Sequence, residues 1–274
     1  MTIIHISTDY PDKYQPAKTS AISNLVDVTK DDFNHQVYSL NRKPISPLTG
    51  SKRWVVRDWN RGIESFAREA SISSWTYEAP SNGLFLNASL DAVADILAED
   101  IIKQGHQPTL IHGHKLSMEG FIAQRIAQRF GIPFALSIQG NTDRNILNIR
   151  RDLWPKYRKI FHKASVVFPF TPWAFDYCEN ILGKRSGKTI MLPCITQHDE
   201  IIPPKMCEDR IMSAFHLRHW KIKGLDRLSK ASGKVEEQND NFALDIYGGG
   251  SDELMNALND RCLLYTSPSP RDRG

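Results

Sequence analysis

Short apolar runs alternate with longer segments of helical periodicity along most of this 274-residue chain. In the segment 87–105 apolar residues recur every three or four positions, which is the spacing of one face of a helix. Further helices are predicted at 17–33, 117–131, 150–164 and 172–183. Strands are predicted at 2–7, 35–40, 109–114, 134–140, 166–170 and 189–194.

This alternation is typical of a parallel sheet that helices cover on both faces. The rhythm stops at 195–209, which contains the pair Pro203–Pro204, and then restarts. The restarted elements are strands at 210–215 and 242–248 and helices at 224–238 and 251–261. We therefore predict two doubly wound, Rossmann-like α/β domains, with the second one incomplete.

The predicted domains are 1–195 and 210–261, joined by a linker at 196–209. One part of the first domain is harder to assign. The stretch 41–82 contains RWVVRDW and SSWTYEAP, which fit either strands or a long excursion from the sheet. No internal repeat is visible.

Two cations stand in the loop that follows the first strand of the second predicted domain. In AFHLRHWKIKGLDRL, Arg218 and Lys223 precede a helix whose first turn holds Gly224. Open α/β sheets bind ligands beyond the carboxyl ends of their strands, and helix N-termini favour phosphate. The two cations suit a diphosphate, and a solvated basic loop is the other interpretation that these residues allow.

The same stretch resembles the G-R-L-x-x-x-K-G-x-D-x-L segment of family 4 glycosyltransferases, which have the GT-B fold. Arg218, Lys223, Gly224, Asp226 and Leu228 stand at the matching offsets. The resemblance implies that Arg218 and Lys223 act in catalysis by binding the diphosphate of a nucleotide-sugar donor. The family glycine that precedes the arginine is a leucine in this chain.

A glycine triplet in FALDIYGGGSDEL adds a second element of the resemblance. Gly248, Gly249 and Gly250 follow a predicted strand and open a predicted helix, as in the family's L-x-I-x-G-x-G-x element. The resemblance implies that these glycines, like Gly224, line the donor site. Taken alone, such glycines are most often turn formers.

The first predicted domain is similar to the family over residues 109–143, which match its D-x-I-H-x-H and G-I-P-x-V-x-T-x-H-G patterns. His112 and His114 end a strand there, and His114 is the better candidate for contact with acceptor or donor. A structural role for either histidine stays open. Where the family often has a histidine, Gln139 can bind a sugar hydroxyl but cannot accept a proton. We assign Gln139 and Asn141 to the acceptor side.

The loop after the first strand lacks the glycines that family members usually have there. Lys18, Thr19 and Ser20 at the start of the next helix are candidate donors to the phosphates, and ordinary helix capping is the alternative for the hydroxyls. No G-x-G-x-x-G follows the strand, which argues against a nicotinamide enzyme. No D-x-D, HExxH or Cys/His cluster is visible, so we predict no metal and no cofactor other than the nucleotide-sugar substrate.

Composition adds bounds on location and partners. The chain is 41% hydrophobic and 24% charged with a net charge of +4, which is ordinary for a globular protein and does not call for nucleic acid. Four scattered cysteines without a CxxC and the absence of a secretory signal predict a cytoplasmic protein. The basic segment 144–159, with interleaved aromatic residues, is a solvated helix face or a contact with anionic membrane lipid.

The last residues, CLLYTSPSPRDRG (262–274), have no apolar periodicity. One back-translation of this tail resembles a transposase-type sequencing adapter, so we expect 262 to at least 272 to be a translated adapter on a gene fragment. In the resembled family the second domain continues through further strand–helix units that carry two paired glutamates. The chain stops before such a segment, which predicts a truncated enzyme.

The resemblance implies a GT-B glycosyltransferase that transfers a sugar with retention from a nucleotide-diphosphate sugar to a glycan or lipid-linked acceptor, as in polysaccharide biosynthesis. A non-hydrolysing nucleotide-sugar 2-epimerase, which is an isomerase of similar architecture, is one alternative. A catalytically incompetent Rossmann-like fragment is another.

Overall fold

The computed structural model describes residues 1–195, 201, 203, 209–239 and 241–250, together with the backbone of 266–267. The chain forms two compact units, Met1–Asp199 (unit 1) and Glu200–Gly274 (unit 2). The boundary between the units lies inside the segment 196–209, where the sequence predicted a linker.

Unit 1 is built on one eight-stranded sheet with the order β3-β4-β2-β1-β5-β6-β7-β8. All neighbouring strands are parallel except β3 and β4, which form an antiparallel pair at one edge. The strands are β1 (Thr2–Ser7), β2 (Asn34–Pro44), β3 (Glu64–Arg68), β4 (Ile72–Ala79), β5 (Leu110–Gly113), β6 (Phe134–Ile138), β7 (Val166–Pro169) and β8 (Lys188–Thr189).

Seven α-helices connect these strands within the described part of unit 1. They are α1 (Ala21–Val28), α2 (Pro47–Val56), α3 (Leu86–Lys103), α4 (Glu119–Phe130), α5 (Asn141–Ile149), α6 (Trp154–Lys163) and α7 (Pro172–Leu182), with short 3₁₀ turns at Ser81–Gly83 and Arg151–Leu153. Most of the buried apolar side chains of unit 1 form one cluster, which includes the inner faces of α3 and α4.

The two faces of the central sheet differ in chemistry. Ile4 and Ile6 of β1 belong to the main apolar cluster, whereas His5 and Ser7 alternate with them on the other face. Neighbouring strands repeat this division, because β5 sets His112 directly beside His5. A small cluster of Tyr10, Ile22, Val26 and Val37 covers part of this polar face. The polar face therefore buries histidine and serine side chains next to this small apolar cluster.

Several local predictions were wrong in type or extent. The first four residues of RWVVRDW, 53–56, form the end of helix α2. That helix starts where the Ser46 hydroxyl accepts from the Thr49 amide (3.1 Å) and Pro47 suits the first turn. Helix α5 was not predicted as a separate element. The predicted helix at 17–33 is helical only over α1, because the preceding loop folds around the carboxylate of Asp12.

Unit 2 contains a parallel sheet with the order β11-β10-β9. Its described elements are β9 (Arg210–Ala214), a 3₁₀ turn (Leu217–His219), α8 (Leu225–Glu236), β10 (Ala243–Tyr247) and β11 (Thr266–Ser267). Leu217, Leu225, Leu244 and Ile246 form its small core. The predicted helix at 251–261 and most of the tail at 262–274 lie outside the described residues.

Candidate functional site

The two sequence motifs of unit 2 meet at one edge of its sheet. Because β9 and β10 are parallel neighbours, the loops that follow them lie side by side. The amide of Phe215 donates to the carbonyl of Tyr247, and the amide of Leu217 donates to the carbonyl of Gly249, each at 2.9 Å. The structure therefore joins the loop that carries Arg218 to the glycine triplet.

The glycines of the triplet have different reasons to lack a side chain. A Cβ on Gly248 would lie 1.7 Å from the carbonyl oxygen of Phe215, and a Cβ on Gly250 would lie 3.0 Å from the Leu217 side chain. A Cβ on Gly249 would meet no atom within 4 Å. Gly248 is thus required by the close approach of the two strand ends, whereas Gly249 faces open space.

Leu217 replaces the glycine of the resembled motif and belongs to the core of unit 2. Its side chain is buried, so the turn presents the next residue, Arg218, to solvent. The His216 ring accepts from the Arg218 amide (3.3 Å), which holds the turn in place. The leucine therefore anchors the loop from the inside.

Arg218 and Lys223 are both exposed, and neither forms an ion pair within the described residues. The Arg218 Nε donates to Nε2 of His219 (3.1 Å), which leaves the two terminal nitrogens of the guanidinium for a ligand. Between these two cations and α8 stands Gly224, the N-cap residue, with a left-handed φ of 71° that favours glycine. The arrangement combines two unpaired cations with a helix N-terminus, which together attract a phosphate group.

In unit 1 the carboxyl edge of the sheet carries a buried polar network that the sequence analysis missed. The Lys115 ammonium contacts a carboxylate oxygen of Asp9 (2.7 Å) and the hydroxyl of Thr8 (2.7 Å). The Thr8 hydroxyl and amide donate to Oε1 of Glu119, at 2.7 and 2.9 Å. The signal in the sequence was a Lys–Glu pair four residues apart, directly after a strand.

The charges in this network shift each other's titration. Burial raises the pKa of Glu119, and the neighbouring Lys115 ammonium opposes that rise. Burial alone would lower the pKa of Lys115, but the carboxylates of Glu119 and Asp9 raise it overall. The network holds the Thr8–Asp9 loop against the start of helix α4.

Lys18, a predicted phosphate ligand, is turned inward. Its ammonium lies 3.5 Å from Oδ2 of Asp12, donates to the Ser39 hydroxyl (3.0 Å), and is largely buried. The Thr19 side chain is exposed and its hydroxyl accepts from the Ala21 amide (3.3 Å), close to the start of α1. Donor binding by Lys18 and Thr19 stays a prediction.

His114 is fully buried, and its Nε2 lies 2.9 Å from Nδ1 of His5. His112 is also buried, and its Nε2 lies 2.9 Å from the Ser137 hydroxyl. Burial lowers the pKa of His112 to about 3 and lowers the pKa of His114 well below its ordinary value. A catalytic role of His114 stays a prediction, and in this structure its partners are other buried side chains.

Gln139 is half-buried and Asn141 is exposed at the start of α5. The same helix is fixed by Asp143, whose carboxylate accepts from the amide and the hydroxyl of Ser117, both at 2.8 Å. Beside helix α5 lies a cavity of about 470 Å³ at the carboxyl ends of β2 and β4. Its lining includes Arg42, Tyr77, Pro80, Met118, Thr142 and Asn145.

The wall of this cavity contains a buried tyrosine, Tyr77. The Tyr77 side chain is buried, and its hydroxyl has no hydrogen-bond partner among the described residues. The Arg42 guanidinium donates to the carbonyl of Pro80 (2.9 Å) at the same wall. The cavity thus presents the Arg42 guanidinium in a surface that is more apolar than polar, while the Tyr77 hydroxyl is buried behind that surface.

The parallel sheet of unit 1 and the strand–helix–strand arrangement of unit 2 define an α/β protein made of two Rossmann-like units. No family model and no curated protein sequence matches the chain. Among solved structures, the chain is similar to GT-B glycosyltransferases, which confirms the predicted fold. Identities of 10–12% to these structures establish the fold alone.

Three of these structures illustrate the likeness. The E. coli trehalose-6-phosphate structure bound with UDP-2-fluoro glucose has a TM-score of 0.57 and 12% identity, over 100% of this chain and 74% of that one. Trehalose-6-phosphate synthase from Burkholderia multivorans has 0.53 and 12%, over 98% and 73%. Arabidopsis thaliana UGT89C1 complexed with UDP has 0.52 and 10%, over 98% and 71%.

None of the described helices is both long enough and apolar enough to cross a bilayer.

Proposed function

We propose that this chain acts, or forms part of a protein that acts, as a retaining glycosyltransferase that uses a nucleotide-diphosphate sugar. The observation that carries the proposal is the pair of exposed cations, Arg218 and Lys223, which form no ion pair with any described residue and lie at the edge where the glycine triplet also ends. The GT-B fold and the UDP ligands in two of the similar structures support it.

The proposed chemistry follows from where charge develops. When the bond between the anomeric carbon and the diphosphate breaks, negative charge grows on the departing diphosphate. Arg218 and Lys223 would stabilise that charge more strongly than the charge of the bound donor, and this difference lowers the barrier. The guanidinium can donate two parallel hydrogen bonds to phosphate oxygens, and the lysine acts as a point charge.

We assign the acceptor side to unit 1, where the cavity beside α5 supports the proposal. Gln139 and Asn141 do not line that cavity, whereas Thr142 and Asn145 of helix α5 do. Amide and hydroxyl groups of this kind bind sugar hydroxyls, while the apolar part of the wall suits the lipid portion or the flat face of an acceptor. A glycan or lipid-linked acceptor fits both features.

Titration of the chain with UDP tests the donor site directly. Arg218→Ala should raise the Kd for UDP about 10- to 100-fold, because one charge-assisted hydrogen bond contributes about 1.5–3 kcal/mol. Lys234→Ala is the control, since Lys234 is also an exposed cation but lies in the last turn of α8, away from the helix N-terminus. Equal Kd values for Arg218→Ala and the unmodified chain would remove Arg218 from the donor site.

Turnover of a complete gene product tests the reaction itself. Release of UDP from a UDP-sugar should require an acceptor, and Arg218→Ala should lower turnover at least about 10²-fold. Conversion of the UDP-sugar to an epimer without an acceptor would contradict the transferase and favour the isomerase.

A further inference from the structure

The buried polar face of the unit 1 sheet brings together four histidines that are far apart in sequence. His5 on β1 pairs in register with His112 on β5. On the other side of β1, His35 of β2 pairs in register with Ile3, two residues before His5. His114 follows β5 directly. All four side chains belong to residues that are at most 7% exposed.

Hydrogen bonds fix which ring nitrogen carries the proton in three of these imidazoles, those of His35, His5 and His114. The Thr29 hydroxyl donates to the carbonyl of Leu25 (2.8 Å), so both it and the Thr29 carbonyl can only accept from Nε2 of His35, at 3.1 and 3.2 Å. A neutral imidazole carries one N–H. Nδ1 of His35 must therefore accept from Nε2 of His5 (2.8 Å).

The same reasoning fixes the proton positions of His5 and His114. Nδ1 of His5 then has a free lone pair and faces Nε2 of His114 at 2.9 Å. Nδ1 of His114 is left as a lone pair without a hydrogen-bond partner among the described residues, in a side chain that is fully buried. A ring nitrogen with a free lone pair can take up the ring proton if Nε2 of His114 gives it up.

His112 completes a compact group. Its Nε2 is engaged by the Ser137 hydroxyl, and its ring centroid lies 4.1 Å from that of His114. One ring nitrogen from each of His5, His112 and His114 lies within 4.8 Å of the other two. His5 and His112 each use Nε2 for a bond outside the trio, which leaves Nδ1 for a shared ligand.

We propose that His5, His112 and His114 form a binding site for a divalent transition-metal ion of the kind that prefers imidazole, such as Zn²⁺ or Co²⁺. Three neutral histidines are a known ligand set for zinc, with water or a small anion in the fourth position. His35 and Ser137 would be the outer partners that orient the ligand rings.

Binding requires the three rings to move, because their nitrogens lie within 4.8 Å of one another and tetrahedral coordination brings each pair to about 3.4 Å. The ion takes the place of the hydrogen between His5 and His114, and that proton moves to the unpartnered Nδ1 of His114, so no proton is released. The two facing nitrogens must separate from 2.9 Å to about 3.4 Å for tetrahedral bonds of about 2.0–2.1 Å. Because the site is buried, the ion is expected to enter during folding and to exchange slowly.

The test uses the complete 274-residue chain without a polyhistidine tag, refolded from urea with Co²⁺ or Zn²⁺ and then passed through a chelating column. We expect about one ion per chain by elemental analysis and visible d–d absorption bands for Co²⁺. X-ray absorption of the zinc form should count three imidazole ligands. Fewer than about 0.1 ion per chain would overturn the proposal and leave a hydrogen-bonded histidine ladder.

Variants locate the ion. His112→Gln and His114→Gln should lose the Co²⁺ bands, while His106→Gln should keep them, because His106 is a half-buried histidine outside the group. Circular dichroism of each metal-free variant shows whether it folds, and the ligand count in the unmodified chain decides the question if one does not. Retention of the bands by a folded His114→Gln variant would place the ion elsewhere and refute the site.

Discussion

Removal of the Lys115 ammonium should strongly destabilise unit 1. The lysine side chain is 6% exposed and its Nζ lies 3.7 Å from Oε1 of Glu119, which is fully buried. At an effective dielectric constant of about 20, two unit charges at that distance attract each other by about 4.5 kcal/mol. Lys115→Met keeps most of the apolar stem and removes this attraction, so we expect a loss of about 3–5 kcal/mol in the free energy of unfolding.

The loss should depend on pH in a defined direction. Burial already raises the pKa of Glu119, and without Lys115 that pKa rises further. An acid whose pKa is higher in the folded state binds protons more tightly there, so the folded state gains stability as the pH falls through that pKa. The variant should therefore be closest to the unmodified chain in mildly acidic buffer and furthest from it near neutral pH.

Urea unfolding followed by tryptophan fluorescence measures this effect mainly in unit 1, since five of the six tryptophans lie there and only Trp220 lies in unit 2. Glu119→Gln introduced into the Lys115→Met variant removes the unpaired charge and should recover at least about 2 kcal/mol. A loss below about 1 kcal/mol for Lys115→Met, or no recovery in the double variant, would refute the reasoning.

Two further predictions use matched pairs of variants. Gly248→Ala should destabilise unit 2 by more than about 1–3 kcal/mol and open it to proteolysis, because its Cβ would overlap the Phe215 carbonyl, whereas Gly249→Ala should leave the protease pattern unchanged. Tyr157→Phe should cost about 0.5–1.5 kcal/mol, because its buried hydroxyl donates to a backbone carbonyl (3.1 Å), and Tyr77→Phe should cost nothing in the absence of a ligand. Equal losses for the two tyrosine variants would show that the Tyr77 hydroxyl does have a partner.

Much of the fold could be predicted because its signals are local. Apolar positions at helical spacing predicted α3 and α4, and Gly131 ends α4 with a left-handed φ of 67°. The predicted strand at 189–194 pairs formally only over β8, although the amides of Ile190 and Leu192 still donate to β7 carbonyls. The strand therefore continues as backbone pairing at an exposed edge, which residue type alone cannot show.

The proposed donor site was partly visible in the sequence because its residues are also close together along the chain. Arg218, Lys223 and Gly224 lie within seven consecutive residues, so spacing along the chain reflects spacing in the loop. The sequence could not show that Leu217, which departs from the resembled motif, is buried as an anchor. Nor could it show which glycine of the triplet is required, because that depends on where the neighbouring strand passes.

The sequence by itself determined the alternation of strands and helices, the division near residue 200 and the loop that carries two cations. Only the tertiary structure decided that His5, His35, His112 and His114 share one buried face. It also decided that Lys115, which follows β5, contacts Asp9, which follows the neighbouring strand β1. The physical reason is strand order. β1 lies between β2 and β5, and this neighbourhood is set by burial of the whole sheet, to which no short stretch of sequence is a guide.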